Sequence, residues 1–243
     1  MSKFTAELIG TMLLVILGDG VVANVVLNKT KGQNSGWIVI ATGWGLGVAV
    51  AVYAIGWVSS GHINPAVTLA MASIGKFPWQ DVPGYLLAQM LGAYLGGVIV
   101  WLSYLPHWPV TEDQASKLGV FCTIPAIRKP GLNLITEIVG TFVLVLGVLA
   151  ILSPKNLNPD TGFPSGIGPL LVGILVFSIG LSLGGPTGYA INPARDLGPR
   201  LAHFLLPIAG KGHSDWHYAW VPVVGPVIGG ILGAATYRAL WGL

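Results

Sequence analysis

Six stretches of this 243-residue chain are apolar for long enough to cross a bilayer, or nearly so, and that limits its fold more than any other feature. A transmembrane helix needs about 20 mostly apolar residues. Phe4–Leu27, Trp37–Val58, Val82–Leu105, Leu132–Leu152, Ile167–Leu183 and Tyr218–Leu240 are the six. Their only charges are Glu7, Asp19, Glu137 and Arg238. In the whole chain 9% of residues are charged and 53% hydrophobic, against roughly 25% charged in a soluble domain. A surface so poor in charge cannot keep a body of this size dissolved, which excludes a soluble enzyme. The first run, from Phe4, is too long for the core of a cleavable signal peptide and is expected to stay as a span. Trp37, Trp57, Trp79, Trp101, Trp216 and Trp241 fall near span ends, as interfacial anchors do.

Two further apolar stretches, Asn64–Ile74 and Asn192–Leu206, are too short to cross. Each opens with Asn-Pro-Ala: Asn64, Pro65, Ala66 and Asn192, Pro193, Ala194. Asparagine is a strong N-cap, and proline suits the first helical turn. Each stretch is therefore expected to be a half-helix entered through an irregular, glycine-bearing segment. Such backbone is tolerated at membrane depth only where it lines a cavity or is buried in protein. The halves also repeat. Thr5–Thr11 matches Ile135–Thr141, which aligns Glu7 with Glu137, and the two Asn-Pro-Ala boxes match at nearly the same offset. Three spans per half is an odd number, so the second half must enter from the opposite side. The expected architecture is an all-α membrane protein with six transmembrane helices and two re-entrant half-helices in an inverted repeat. Residues 1–243 form one domain, with repeats at about 4–105 and 132–241 joined by the loop 106–131.

Other chemistries fail. A net charge of +3 invites a nucleic-acid reading, but the basic residues do not cluster. Cys122 is the only cysteine, expected to be a plain loop thiol with no disulfide or metal role. Gly180-Leu181-Ser182-Leu183-Gly184 fits a nucleophile-elbow pattern, yet it lies in an apolar span without partners. No cofactor or metal is expected, and no catalytic residue.

The two boxes carry the chemistry. If each asparagine oxygen caps its half-helix, the amide N–H groups of Asn64 and Asn192 face the lumen as donors. One Asn-Pro pair means little, as Asn158-Pro159 in a loop illustrates; two at repeat-related positions mean more. Each helix N-terminus carries roughly +0.5 charge, so the two together present about +1, and a cation at about 5 Å, at an effective dielectric near 20, meets roughly 3 kcal/mol of repulsion. Backbone carbonyls at Gly61, His62, Ile63 and at Gly188, Tyr189, Ala190 would form an acceptor ladder opposite an apolar wall. His62 either holds its loop or lines the pore. Glu7 and Glu137 are expected to be structural, accepting from re-entrant backbone N–H groups, with a proton relay as the other possibility. Asp19 has an apolar repeat counterpart. It is expected in a wet position, against neighbouring backbone N–H groups or the outer vestibule, or else as a neutral acid in the packing. Gly43/Gly47, Gly92/Gly96 and Gly225/Gly229 are spaced for close helix packing.

Two Asn-Pro-Ala boxes in a six-span inverted repeat resemble the aquaporin, or major intrinsic protein, family over the whole chain. Asn192-Pro193-Ala194-Arg195-Asp196-Leu197-Gly198-Pro199-Arg200 resembles its aquaglyceroporin branch, the bacterial glycerol facilitators; Asp196 and Pro222 are the branch marks. The resemblance implies a selectivity filter of Trp44, Gly180, Tyr189 and Arg195, with Asp196 structural. In that set Arg195 would hold the hydroxyl edge of a polyol, Trp44 and Tyr189 its hydrocarbon edge, and Gly180 would leave room. Tyr189 departs from the phenylalanine common in glycerol facilitators. The implied function is a passive channel for glycerol, related small neutral solutes and water, excluding ions and protons. The competing class is an ion- or proton-coupled secondary transporter. The resemblance also implies a homotetramer in the plasma membrane lipid bilayer, with no nucleic-acid partner and both termini cytoplasmic. That orientation leaves Lys3, Lys76, Lys155 and Arg238 inside, and Lys29, Lys31, Lys117, Arg128, Lys129, Arg200 and Lys211 outside, against the positive-inside rule.

Overall fold

The computed structural model describes residues 1–157 and 163–242, so Asn158-Pro159 lies outside the described residues. Those residues form nine α-helices and no strand: α1 Lys3–Val26, α2 Trp37–Ser59, α3 Pro65–Ser73, α4 Val82–Ser103, α5 Gln114–Phe121, α6 Pro130–Ile151, α7 Phe163–Leu183, α8 Pro193–Leu205 and α9 Val221–Trp241. Six of them (α1, α2, α4, α6, α7 and α9) are long and apolar enough to cross a membrane. The short helices α3 and α8 are the two half-helices. Boundaries differ from the sequence expectation at a few ends. The fifth span begins at Phe163 rather than Ile167, and carries Pro169 inside it. The last begins at Val221, because Trp216–Trp220 forms a turn that keeps Tyr218 outside the helix. α5 sits in the long connection between the halves, where Asp113 caps it.

Each half pairs its first and third spans, α1 with α4 and α6 with α9, and α2 crosses α7 between the halves. Glycines set how close these helices come. The Leu8 carbonyl of α1 lies where a side chain at Gly92 would have to go, and the Ile138 carbonyl of α6 does the same at Gly229. Gly45 and Gly173 bring α2 and α7 together backbone to backbone. With lipid tails as apolar as leucine, such close packing supplies much of the association between spans.

The half-helices exchange partners between halves: α3 packs on α9, and α8 packs on α4. Gly97 of α4 faces Pro199 of α8, and Gly230 of α9 faces the carbonyl of Ala66 in α3. Their N-terminal ends meet, joined by hydrogen bonds from Asn64 to Ile191 and from Asn192 to Ile63. Trp37, Trp57, Trp79, Trp216 and Trp241 are exposed near helix ends, whereas Trp44 and Trp108 are buried.

Candidate functional site

Asn64 caps α3, with Oδ1 accepting from the Ala66 N–H at 2.9 Å. Asn192 caps α8 in the same way, accepting from Ala194 N–H at 3.0 Å and Arg195 N–H at 3.2 Å. The amide nitrogens then cross over. Asn64 Nδ2 donates to the Ile191 carbonyl, and Asn192 Nδ2 donates to the Ile63 carbonyl, both at 2.8 Å. The sequence expectation left both amide hydrogens to the lumen. In the structure one is spent tying the two loops together, and the other stays available. Pro65, Ala66, Pro193 and Ala194 are buried and do not line the cavity.

The approach segments are strained. Ile63, Tyr189 and Ile191 have φ of 45°, 39° and 43°, a left-handed conformation that costs side-chain-bearing residues on the order of 1–3 kcal/mol each. Two buried carboxylates hold them there. Glu7 accepts from the backbone N–H of His62 (3.0 Å) and Ile63 (2.7 Å), from Ser59 Oγ (2.7 Å) and from Gln89 Nε2 (2.7 Å). Glu137 accepts from Ala190 N–H (3.0 Å), Ile191 N–H (2.8 Å) and Thr187 Oγ1 (2.7 Å). The backbone held in this way leaves several carbonyls unbonded. Those of Gly61, His62, Gly188, Tyr189 and Ala190 accept no hydrogen bond from the described residues, whereas the Ile63 carbonyl, expected in the same ladder, is taken by Asn192 Nδ2. His62 both holds and lines: Nδ1 lies 3.1 Å from Thr68 Oγ1, its ring packs on Phe77 and Tyr85, and it borders the cavity.

That cavity, of about 320 Å³, runs from Lys76 and Phe77 at one mouth past both asparagines to Arg195. Leu14, Val48, Val52, Leu144, Val148 and Val176 form its apolar wall. A second cavity, of about 350 Å³, opens on the other side and is lined by Asp113, Cys122, Thr123 and Gly188 among others. The two share three residues, Trp44, Tyr189 and Arg195, which therefore form the neck between them.

Arg195 is 6% exposed, and its guanidinium carbon lies 4.0 Å from the Trp44 ring centroid. Nη1 turns into the protein, 3.4 Å from both the Phe121 carbonyl and Asp19 Oδ1. Nε and Nη2 take no acceptor among the described residues and are not sealed from the lumen. Trp44 reaches this position because Gly18 of α1 has no side chain in the way of its ring. Tyr189 is held by Trp37, edge to face at 5.8 Å, and its hydroxyl is buried without a partner among the described residues.

Two residues depart from their expected places. Gly180 lines neither cavity; a Cβ there would lie 2.8 Å from Cζ and Oη of Tyr189. The room that Gly180 leaves is filled by the Tyr189 ring, not by the lumen. Asp19 is fully buried and lines neither cavity. The expected vestibule position is corrected by helix geometry: α1 turns Asp19 inward against Arg195. Cys122, expected as a loop thiol, is the buried C-cap residue of α5.

Behind the neck, Asp196 Oδ2 accepts from the Thr123 N–H at 2.9 Å, and its carboxylate pairs with Arg200, whose Nε lies 2.8 Å from Oδ1. Arg200 also donates to the carbonyls of Ser214 and Thr123. This pins the loop 122–128 onto α8. Sequence reasoning left out Ser59, Thr187, Gln89, Thr123 and the Phe121 carbonyl. Ser59 and Thr187 stand the same distance ahead of their boxes, a signal that the repeat carried.

Fold and cavity together define a polytopic α-helical membrane channel of the re-entrant, inverted-repeat class. The model of the major intrinsic protein family matches residues 1–237. The chain belongs to that family. It is 64% identical over 241 residues to a probable glycerol uptake facilitator protein of Thermotoga maritima, covering 99% of this chain and 100% of the relative. It is 57% identical to a glycerol uptake facilitator protein of Bacillus subtilis, covering 98% and 85%. Its fold is similar to the X-ray structure of the aquaglyceroporin from Plasmodium falciparum, with a TM-score of 0.84, 29% identity and coverage of 99% and 96%.

Proposed function

We propose that this chain is a passive channel for glycerol, related small neutral solutes and water. The observation that carries this is the neck, where the free Nε and Nη2 of Arg195 face an aromatic corner of Trp44 and Tyr189. A polyol has one hydroxylated edge and one hydrocarbon edge. Two adjacent N–H donors suit the first, and two aromatic rings suit the second. Beyond the neck, the unbonded carbonyls accept from solute hydroxyls while the aliphatic wall follows the carbon chain. Dehydration is thus offset for a neutral polyol and not for a cation, which also meets two half-helix N-termini. A water held by the asparagine donors cannot relay a proton along the file. The glycerol facilitators among its relatives support the choice of solute.

The whole of 1–243 works as one pore, built from the inverted repeats 4–105 and 132–241 joined by 106–131. Both termini lie in the cytoplasm of a plasma-membrane protein. The charge count that opposes this orientation weakens once side-chain commitments are considered. Arg200 is buried in an ion pair, Lys117 donates to the Ala209 carbonyl, Lys211 donates to three carbonyls at the end of α8, and Arg128 pairs with Asp215. Among the described residues that leaves Lys29, Lys31 and Lys129 as outer cations without a side-chain partner. The assembly is a homotetramer in the lipid bilayer, one pore per subunit. Native mass spectrometry in mild detergent should find four copies of the 25.4 kDa chain together; monomers alone would overturn the tetramer.

The functional test is swelling of proteoliposomes under a glycerol gradient with no ion gradient present. Rapid facilitated entry is expected. A rate equal to that of protein-free vesicles, or a requirement for a proton or sodium gradient, would overturn the channel.

A further inference from the structure

What repels a cation along this pore attracts an anion. The two half-helix N-termini contribute about +1, and Arg195 adds a full charge at the neck, so a small anion needs a separate obstacle. We infer that Asp19 is that obstacle: a buried counter-ion that cancels the charge of Arg195 while leaving its free N–H groups to neutral solutes. This rests on the channel reading proposed above and deepens it.

Asp19 is the one carboxylate within ion-pair distance of Arg195 among the described residues, at 3.4 Å. The neighbouring acid, Asp196, is already committed to Arg200 and Thr123. Both partners of the Asp19–Arg195 pair are almost sealed, at 0% and 7% side-chain exposure, so solvent screens their interaction little. Asp19 lines neither cavity. It is therefore a positioning residue, acting on solutes only through Arg195. The division of labour on the guanidinium is what makes this possible. Nη1 faces the acid and the Phe121 carbonyl, and Nε and Nη2 are left for hydroxyl groups. The pair thus presents donors without net charge, which suits an uncharged polyol and gives an anion no electrostatic reward for losing its hydration. Gly18, one residue earlier, seats the Trp44 ring. This short stretch of α1 therefore sets both the charge and the aromatic face of the neck.

The test is Asp19→Asn, which keeps the shape and an acceptor oxygen and removes the charge. Chloride and potassium permeabilities are measured by tracer efflux from proteoliposomes beside glycerol swelling. The expected result is a chloride-to-glycerol ratio raised by at least about tenfold, from one unmasked unit charge at close range, with potassium unchanged. An unchanged chloride ratio overturns the inference. So does a parallel rise of chloride and potassium, which marks a loosened protein rather than an unmasked cation. If the variant fails to assemble, Asp19→Asn combined with Arg195→Gln restores charge balance. Recovery of assembly by the second change supports the counter-ion role, because a purely structural acid would be harmed further by it; loss of assembly in both overturns it. Glycerol swelling of the unaltered protein separates the two readings: its absence overturns the channel and the inference together, whereas an unmoved selectivity in a conducting protein overturns the inference alone.

Discussion

The ring of Tyr189 occupies the space that Gly180 leaves on α7, with Cζ and Oη 2.8 Å from where a Cβ would stand. Gly180 therefore bears on the neck only through the place it gives the Tyr189 ring, which borders the neck with Trp44 and Arg195.

Gly180→Ala is expected to push the Tyr189 ring toward Arg195. Overpacking of this kind costs about 1–3 kcal/mol where the neighbour cannot give. Here the ring can swing into the lumen, so assembly should survive while glycerol flux falls more than water flux. Stopped-flow measurement of both permeabilities checks it; an equal loss of the two would mean that the ring does not move inward.

Tyr189→Phe removes a buried hydroxyl that has no partner among the described residues. An unsatisfied buried polar group costs about 1–3 kcal/mol, so the variant should unfold at the same temperature or a higher one. Glycerol flux should stay equal or rise. A large fall in flux with intact assembly would show that solutes use the hydroxyl as a contact.

Arg195→Ala should flatten the ranking of glycerol over urea, because the paired donors facing the aromatic corner are lost. A panel of solutes in swelling assays reads this directly. An unchanged ranking would remove Arg195 from the selective step.

Glu137→Ala strands two backbone N–H groups and the Thr187 hydroxyl in a buried site, at about 1–3 kcal/mol each. The left-handed backbone at Tyr189 and Ile191 then loses what holds it. A marked drop in thermal stability in detergent is expected, with Glu137→Gln milder because it keeps one acceptor. Wild-type stability in the alanine variant would mean that the strain is held elsewhere.

Asp113 caps α5 at the second cavity. Hydrogen bonds from the Ser116 hydroxyl, then from backbone N–H groups, hold its carboxyl below the usual aspartate value. A depressed folded value means that the cap's contribution is complete above the ordinary aspartate pKa and is lost as pH falls through the depressed one. Hydrogen exchange of the α5 amides should therefore quicken in strong acid and be indifferent to pH near neutrality. Asp113→Ala should bring the faster exchange to neutral pH, with an N-cap loss of about 0.5–2 kcal/mol.

The six spans and two half-helices were legible because bilayer thickness fixes run length and the two Asn-Pro boxes mark helix starts. The repeat also carried the equivalence of Glu7 and Glu137. What the sequence hid were relations with no local spacing. Asp19 sits 176 positions from Arg195, and nothing in the α1 pattern says which way it faces. Gly180 is absent from the lumen because of Tyr189, a fact of side-chain packing. Gln89, three residues before Gly92, bonds Glu7, while Pro226, three before the corresponding Gly229, can donate nothing; an approximate repeat predicts backbone and not such exceptions. The last span starts three residues later than expected because the aromatic 216–220 turn runs straight into the helix with no glycine or charge between them to mark its start.

The crossed asparagine bonds have a consequence for how the chain is made. Asn64 reaches an acceptor 127 positions further on, and Ile63 waits for a donor 129 positions away. A ribosome delivers the first half long before the second. The first re-entrant loop must therefore wait in the bilayer with its knot untied until the other half has been inserted. Biogenesis passes through a half-built pore, and the closing step is the meeting of two loops, not the entry of any one span.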